Sequence, residues 1–104
     1  MAFLQEFLQV CSDDGTRVVV FLTPLHPEVI KHLSKTSNYQ ARKSSVLAML
    51  QDQAEKYDVP VLDLTALESF GGTPDQFQDG AHPLEPNTRR MIDQITNAFS
   101  AQEN

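Results

Sequence analysis

The sequence is poor in the residue types that define several large protein classes. It contains one cysteine, Cys11, and no tryptophan among 104 residues. A single cysteine excludes an intramolecular disulfide and a thiolate-cluster metal site. No apolar run approaches the ~20 residues that a helix needs to cross a bilayer, and residues 1–10 lack the basic start and cleavage site of a signal peptide. We therefore expect no membrane span in this chain and no disulfide framework.

Positive charge is also scarce. Eight Lys and Arg residues against 14 Asp and Glu residues give a formal net charge of -6, and no segment concentrates the basic residues enough to follow a phosphate backbone. Nucleic acid is therefore not an expected partner. Hydrophobic residues make up 40% of the chain and charged residues 21%, which is the balance of a globular protein. Residues 1–104 are expected to form a single unit with one core.

Apolar periodicity predicts the secondary structure. Residues spaced three and four apart predict helices at 3–11, 27–33, 39–57 and from about residue 86 onward. Two short apolar runs predict strands at 18–22 and 59–64. Because the first run shows no alternation of polar and apolar residues, it is typical of a strand buried on both faces, as in parallel sheets.

The order of these elements predicts the fold class. The pattern α-β-α-β-α, with a helical crossover between the strands, is typical of a parallel α/β sheet. The prediction is an α/β unit with three layers around a small parallel sheet. Two strands alone leave unpaired edges that a self-sufficient domain covers. We therefore expect that a second copy of the chain, or a missing part of the domain, completes the sheet.

The loop after the second strand carries the main candidate for chemistry. In parallel sheets, ligands bind beyond the carboxyl ends of the strands. Asp79 precedes His82 by three residues across the turn at Gly80, so its carboxylate can hold the imidazole Nδ1 and leave Nε2 free as a general base. The alternative is structural: Asp79 caps the amides of a turn, and His82 orders the chain before Pro83.

A second histidine follows the first strand. His26 lies between Pro24 and Pro27, and it is a candidate for a second imidazole that contacts the substrate. The alternative is a loop histidine without a chemical role. A metal pair of His26 with His82 is disfavoured because no third ligand is evident, so neither a metal nor a cofactor is expected.

The remaining reactive side chains are interpreted as structural. Arg89 and Arg90 could bind an anionic group, but they lie where a solvated helix face is expected. His32 is also placed on a solvated face. Cys11 falls on the apolar side of the first helix, where a buried thiol is much commoner than a nucleophile. Asp63 is expected to cap or orient the loop that follows the second strand.

Three motifs in order resemble a known family. The sequence VVVFLTP at 18–24, the sequence VPVLDL at 59–64 and the sequence FQDGAHP at 77–83 are similar to the second half of an SGNH (GDSL-type) hydrolase domain, which has a flavodoxin-like sheet. The resemblance covers about residues 3–99. It implies that Asp79 is the orienting acid and His82 the general base of a Ser-His-Asp triad that acts on an ester substrate.

Other parts of the family pattern are absent. The nucleophile of that family lies in a G-D-S motif, and its oxyanion donors are a Gly and the Asn of a G-x-N-D motif; neither motif occurs in this sequence. The resemblance therefore implies a partial SGNH-like domain, without the N-terminal nucleophile half, from an esterase or O-acyltransferase. Because the oxyanion hole and nucleophile supply most of the rate enhancement, we expect no ester hydrolysis by this chain alone.

Two alternatives remain open at this stage. The first is a non-catalytic α/β interaction module that works as an oligomer through the sheet edge and the apolar helix face at Phe3 and Phe7. The second is a homodimer with a composite site, in which His82 of one copy faces a hydroxyl of the other, such as that of Ser44 or Ser45.

Overall fold

Across residues 2–102, the part of the chain that the computed structural model describes, the fold contains four α-helices and two short strands. The helices are α1 (Ala2–Asp14), α2 (Pro27–Thr36), α3 (Tyr39–Glu55) and α4 (Glu85–Gln102). The strands are β1 (Val20–Leu22) and β2 (Val61–Asp63), and one turn of 3₁₀ helix covers Leu67–Ser69. The predicted α/β class is confirmed. Within this part of the chain, no helix combines the length and the hydropathy needed to cross a bilayer.

The two strands are parallel, as predicted, and pair Val20 with Val61, Phe21 with Leu62 and Leu22 with Asp63. Each strand has three residues and is shorter than the apolar run that predicts it. At β1, Val18 lies outside the ladder, and its carbonyl accepts a hydrogen bond from Nε2 of Gln102 at 3.0 Å. At β2, Pro60 has no N–H to donate, and its carbonyl accepts from the N–H of Val20 at 3.0 Å.

Strand β1 is less buried than its sequence predicts. The prediction of a strand buried on both faces is wrong for this chain, because Phe21 is 37% exposed and its two neighbours in the strand are only half-buried. The cause is the missing neighbour: within residues 2–102, β2 is the one strand that pairs with β1. Since Val20 and Leu22 bond to β2, the peptide groups of Phe21 point to the other, unpaired edge.

Helix α2 begins as its sequence predicts and ends later. Pro27 occupies the first turn, and Nδ1 of His26 accepts a hydrogen bond from the N–H of Glu28 at 3.0 Å, which caps the helix. The end is closed by Ser37, whose N–H and Oγ both donate to the carbonyl of Leu33. These bonds extend the helix to Thr36 and reduce the predicted connection to two residues before α3.

The core is small and lies mainly against α4. Its buried members are Leu64, Leu67, Phe70 and Met91, with Leu62, Phe77 and Ile95 packed around them. The accessible surface is 6763 Å², whereas a compact monomer of this mass exposes about 5,900 Å². The radius of gyration is 15.0 Å, compared with about 13 Å for a compact domain of this length. The chain therefore exposes more surface than a self-sufficient domain of its size.

Helix α1 carries apolar residues on two adjacent strips. Leu8 is 1% exposed and lies on the strip that faces the rest of the chain, where α1 contacts α3. Phe3, Phe7 and Val10 follow each other at helical spacing on the second strip, and they are 79%, 48% and 65% exposed. We call this second set the α1 strip. It is an apolar surface that the rest of residues 2–102 leaves about half or more exposed.

Candidate acid–base site

The loops that follow β1 and β2 meet at the carboxyl ends of the strands. The N–H of Leu25 donates to the carbonyl of Thr65 at 3.3 Å, and the N–H of His26 donates to the carbonyl of Gly80 at 3.0 Å. A Cβ on Gly80 would lie 2.5 Å from Cγ2 of Val29 in the first turn of α2. Glycine at position 80 therefore allows the second loop to lie directly against the start of α2.

Residues 77–83 form a narrow loop with a hydrogen-bonded base, which we call the Asp-His loop. Phe77 and Pro83 form an antiparallel bridge. The N–H of Gln78 donates to the carbonyl of His82 at 2.8 Å, and the N–H of Leu84 donates to the carbonyl of Gln76 at 2.9 Å. The bridge and these bonds fix the base of the loop and present residues 79–82 at its tip.

The carboxylate of Asp79 contacts the imidazole of His82, as its spacing predicts. Nδ1 of His82 lies 2.8 Å from both Oδ1 and Oδ2 of Asp79. Oδ1 also accepts hydrogen bonds from the N–H groups of Ala81 at 2.8 Å and His82 at 2.9 Å. The same carboxylate thus caps the turn and contacts the ring, so the two interpretations of Asp79 are compatible. With Nδ1 held by a carboxylate, Nε2 is the ring nitrogen left for another partner.

The electrostatics of this pair favour an ionised acid. The backbone N–H of Ala81 and the ring of His82 hold the pKa of Asp79 below its usual value. Both side chains are open to solvent: that of His82 is 73% exposed and that of Asp79 is 56% exposed. Within this chain, therefore, the pair can accept a proton but does not exclude water from a reacting group.

His26 lies next to the Asp-His loop but has a structural task. Its ring and that of Phe77 form a T-shaped pair, with the ring centroids 5.6 Å apart and an angle of 69° between the planes. Its Nδ1 is occupied as the cap of α2. Contact of His26 with a substrate remains a prediction, limited to its Nε2. Across the described residues, no group of three His, Cys, Asp or Glu side chains is arranged to hold a metal ion.

A network around Asp63 orders the chain directly after β2, as expected for this residue. Oδ1 of Asp63 accepts from the N–H of Thr65 at 3.0 Å and from its hydroxyl at 2.6 Å. Nζ of Lys43 lies 3.2 Å from Oδ2 of Asp63 and donates to Oγ1 of Thr65 at 2.9 Å. Burial raises the pKa of Asp63, but the hydrogen bonds from Thr65 and Lys43 outweigh it, and the net pKa is lowered.

Sequence reasoning misses Asn87, a buried residue that holds the loop before the site. Asn87 is 0% exposed in the first turns of α4. Its Nδ2 donates to the carbonyls of Thr73 and Gln76, and its Oδ1 accepts from the N–H of Thr73, all at 2.9 Å. A Cβ on Gly72 would lie 2.9 Å from Oδ1. The available signal is an amide residue at the start of a helix after a loop rich in Gly and Pro.

The other singled-out residues lie outside this site. Arg89 pairs with Glu85 on an exposed face of α4, and Arg90 is exposed on the same helix. Cys11 is half-buried on α1. The hydroxyl-bearing Ser44 and Ser45 are exposed on α3.

Comparison with known proteins adds no relative of this chain. No family model, no curated protein and no solved structure matches it.

Proposed function

We propose that this chain is the acid–base portion of an SGNH-like ester hydrolase or O-acyltransferase. Asp79 orients the imidazole of His82, and His82 acts as the general base for a serine hydroxyl on another segment. The observation that carries this proposal is the 2.8 Å contact between Nδ1 of His82 and the Asp79 carboxylate, in a loop that follows a parallel strand.

The proposed chemistry assigns one step to each group. Nε2 of His82 accepts the serine proton while the serine oxygen attacks the ester carbonyl, and the Asp79 carboxylate stabilises the resulting imidazolium. The imidazolium then gives its proton to the departing alkoxide. Because neither a G-D-S nor a G-x-N-D block occurs in this sequence, the nucleophile and the oxyanion donors come from elsewhere, and the chain alone is inactive.

The arrangement around the sheet supports a flavodoxin-like, three-layer parent domain. Helix α3 contacts β2, while Leu62 of β2 packs into the cluster that contains Met91 and Ile95 of α4. Alternate residues of a strand point to opposite faces, and Asp63, next to Leu62, bonds to Lys43 of α3. These contacts support the proposal that the two helices lie on opposite faces of the sheet.

The uncovered surfaces support the proposal that a further strand or a second chain packs against this one. The unpaired edge of β1 can accept a further parallel strand, and the α1 strip offers an apolar surface for it or its helix. The surface excess of roughly 900 Å² over a compact monomer is close to one partner's share of a standard interface, about 800 Å². We propose that the nucleophile-bearing half of the domain, or else a second copy of this chain, covers these surfaces.

A non-catalytic interaction module is the competing proposal, and one observation favours it. The Asp79 carboxylate bonds to two backbone N–H groups of its own turn, so the residue has a structural use without catalysis. In that case the β1 edge and the α1 strip are the functional surface, and the chain acts through an oligomer.

The open reading frame upstream of Met1 tests the two proposals. If it encodes a G-D-S block followed by a G-x-N-D block, we expect the extended protein to hydrolyse p-nitrophenyl acetate. We then expect His82→Gln to lower kcat/KM by about 10³-fold or more, and Arg90→Gln to leave it unchanged. An unrelated upstream domain, or full activity of the His82 variant, would overturn the hydrolase proposal. A fluorophosphonate probe should leave the 104-residue chain unlabelled.

A further inference from the structure

A groove of about 450 Å³ lies between α2, α3 and the end of β1. Its apolar lining consists of Leu22, Leu25, Leu33 and Val46. None of the residues that line it belongs to the segment 77–83, and none is acidic. We call it the α2–α3 groove.

One face of α3 contributes three of the polar side chains at this groove, and the others carry hydroxyl groups. Tyr39, Arg42, Lys43 and Val46 recur at a spacing of three and four residues, so they share that face. Lys43 is tied to Asp63 and Thr65. By contrast, the guanidinium of Arg42 and the hydroxyl of Tyr39 have no hydrogen-bond or ion-pair partner within residues 2–102.

We propose that the α2–α3 groove binds an amphiphilic anion, a carboxylate with a short alkyl body. The alkyl body lies against the leucines and Val46, and the carboxylate accepts hydrogen bonds from Arg42 and Tyr39. This site does not require the hydrolase chemistry of Asp79 and His82.

Charge complementarity decides the class of ligand. The formal net charge of the chain is -6, yet the lining of this groove contains two cations and no acid. One cation is already balanced by Asp63, which leaves the Arg42 guanidinium for a ligand. A guanidinium matches a carboxylate with two parallel hydrogen bonds. A cationic or neutral amphiphile of the same length would bury the same apolar surface and leave Arg42 without a partner.

Titration of the 104-residue chain with octanoate, followed by calorimetry and by NMR shifts of the groove amides, tests this proposal. We expect saturable binding at millimolar concentration or below, with octanoate tighter than hexanoate and butanoate by about twofold or more per methylene; complete burial of a methylene is worth about fourfold. Octanol and octylammonium should bind at least about tenfold more weakly than octanoate.

Three variants locate the site. Arg42→Gln should weaken octanoate binding by about tenfold or more, whereas Arg90→Gln, on an exposed face of α4, should leave it within about twofold. Val46→Asp places a negative charge in the half-exposed groove wall and should abolish binding. Equal binding of octanoate and octanol, equal loss in both arginine variants, or no binding at all would each overturn the proposal. These outcomes are independent of whether the extended protein hydrolyses esters.

Discussion

Around β2 and α4, polar and apolar groups find partners within the chain, whereas apolar side chains of β1 and of α1 face solvent. Leu62 and Leu64 contribute to the core against α4, and Asn87 uses both ends of its amide on the loop before the site. In contrast, Phe21 of β1 is 37% exposed, and the α1 strip is largely exposed. The chain therefore supplies the contacts that hold the base of the Asp-His loop, but it leaves apolar side chains of β1 and α1 uncovered.

The sharpest test of this comparison lies within α1, where the two strips are adjacent. Leu8→Ala should lower the free energy of unfolding by about 2–4 kcal/mol, because it empties a buried site. Phe7→Ala should lower it by less than about 1 kcal/mol, since the ring is half-exposed. Urea denaturation at low protein concentration measures both.

The same pair of variants separates folding from association. Phe7→Ala should reduce self-association or binding of the partner half, whereas Leu8→Ala acts through stability. Light scattering that shows a stable, monodisperse monomer at high concentration would contradict the homodimer arrangement. A loss of stability in Phe7→Ala as large as in Leu8→Ala would show that the α1 strip is part of the core.

The next effect in size is expected at Asn87. Asn87→Ala removes three hydrogen bonds. It leaves the N–H of Thr73 without its partner and takes one of two donors from the carbonyls of Thr73 and Gln76, so we expect a loss of about 2–3 kcal/mol in the free energy of unfolding. Asn97→Ala, on the exposed face of the same helix, should change it by less than about 0.5 kcal/mol. Similar losses in the two variants would show that the loop does not depend on Asn87.

A smaller effect is expected where the Asp-His loop meets α2. Gly80→Ala brings a methyl group against Val29, whose χ1 is restricted in a helix, and should lower the free energy of unfolding by about 1–2 kcal/mol. Val29→Ala makes room for the methyl group. The double variant should therefore be less destabilised than the sum of the two single variants. Strict additivity would contradict the close approach of Gly80 to α2.

The smallest effect is a pH dependence at the end of β2. Because the pKa of Asp63 is lowered in the folded chain, its stabilising contribution is fully present above the unfolded value of about 3.9. It is lost as the pH falls through the lowered, folded pKa. Urea denaturation between pH 6 and pH 3 should therefore show a flatter pH dependence for Asp63→Asn than for the wild type. Asp93→Asn on α4 is the exposed control. Identical curves for all three proteins would show that ionised Asp63 does not stabilise the fold.

Local sequence patterns predict the contacts between residues that are close in the chain. The contact of Asp79 with His82 follows from a three-residue spacing across a glycine turn, and the cap and proline at the start of α2 lie side by side in the chain. The length of β1 was not predictable, since the carbonyl of Val18 bonds to Gln102 at the far end of α4. The role of Asn87 was not predictable either, because its partners are backbone groups of the loop 11 to 14 residues earlier, and no local sequence pattern marks them.

Burial of β1 was predicted incorrectly for a different reason. The composition of residues 18–22 suits a strand inside a wider sheet, and the described residues supply only one of the two neighbours such a strand needs. The sequence pattern thus suits a strand flanked on both sides, an environment that residues 2–102 do not provide. This mismatch is also the physical basis for expecting a partner at the β1 edge.

The orientation of His82 by Asp79 is the central claim, and ¹⁵N NMR of the imidazole in the neutral form tests it most directly. We predict that wild-type His82 holds its proton on Nδ1, facing the Asp79 carboxylate, and leaves Nε2 as the free base. In Asp79→Asn the proton should move substantially towards Nε2, while the tautomer of His32 stays unchanged. The same tautomer distribution for His82 in both proteins would contradict the claim and leave Asp79 with its turn-capping role alone.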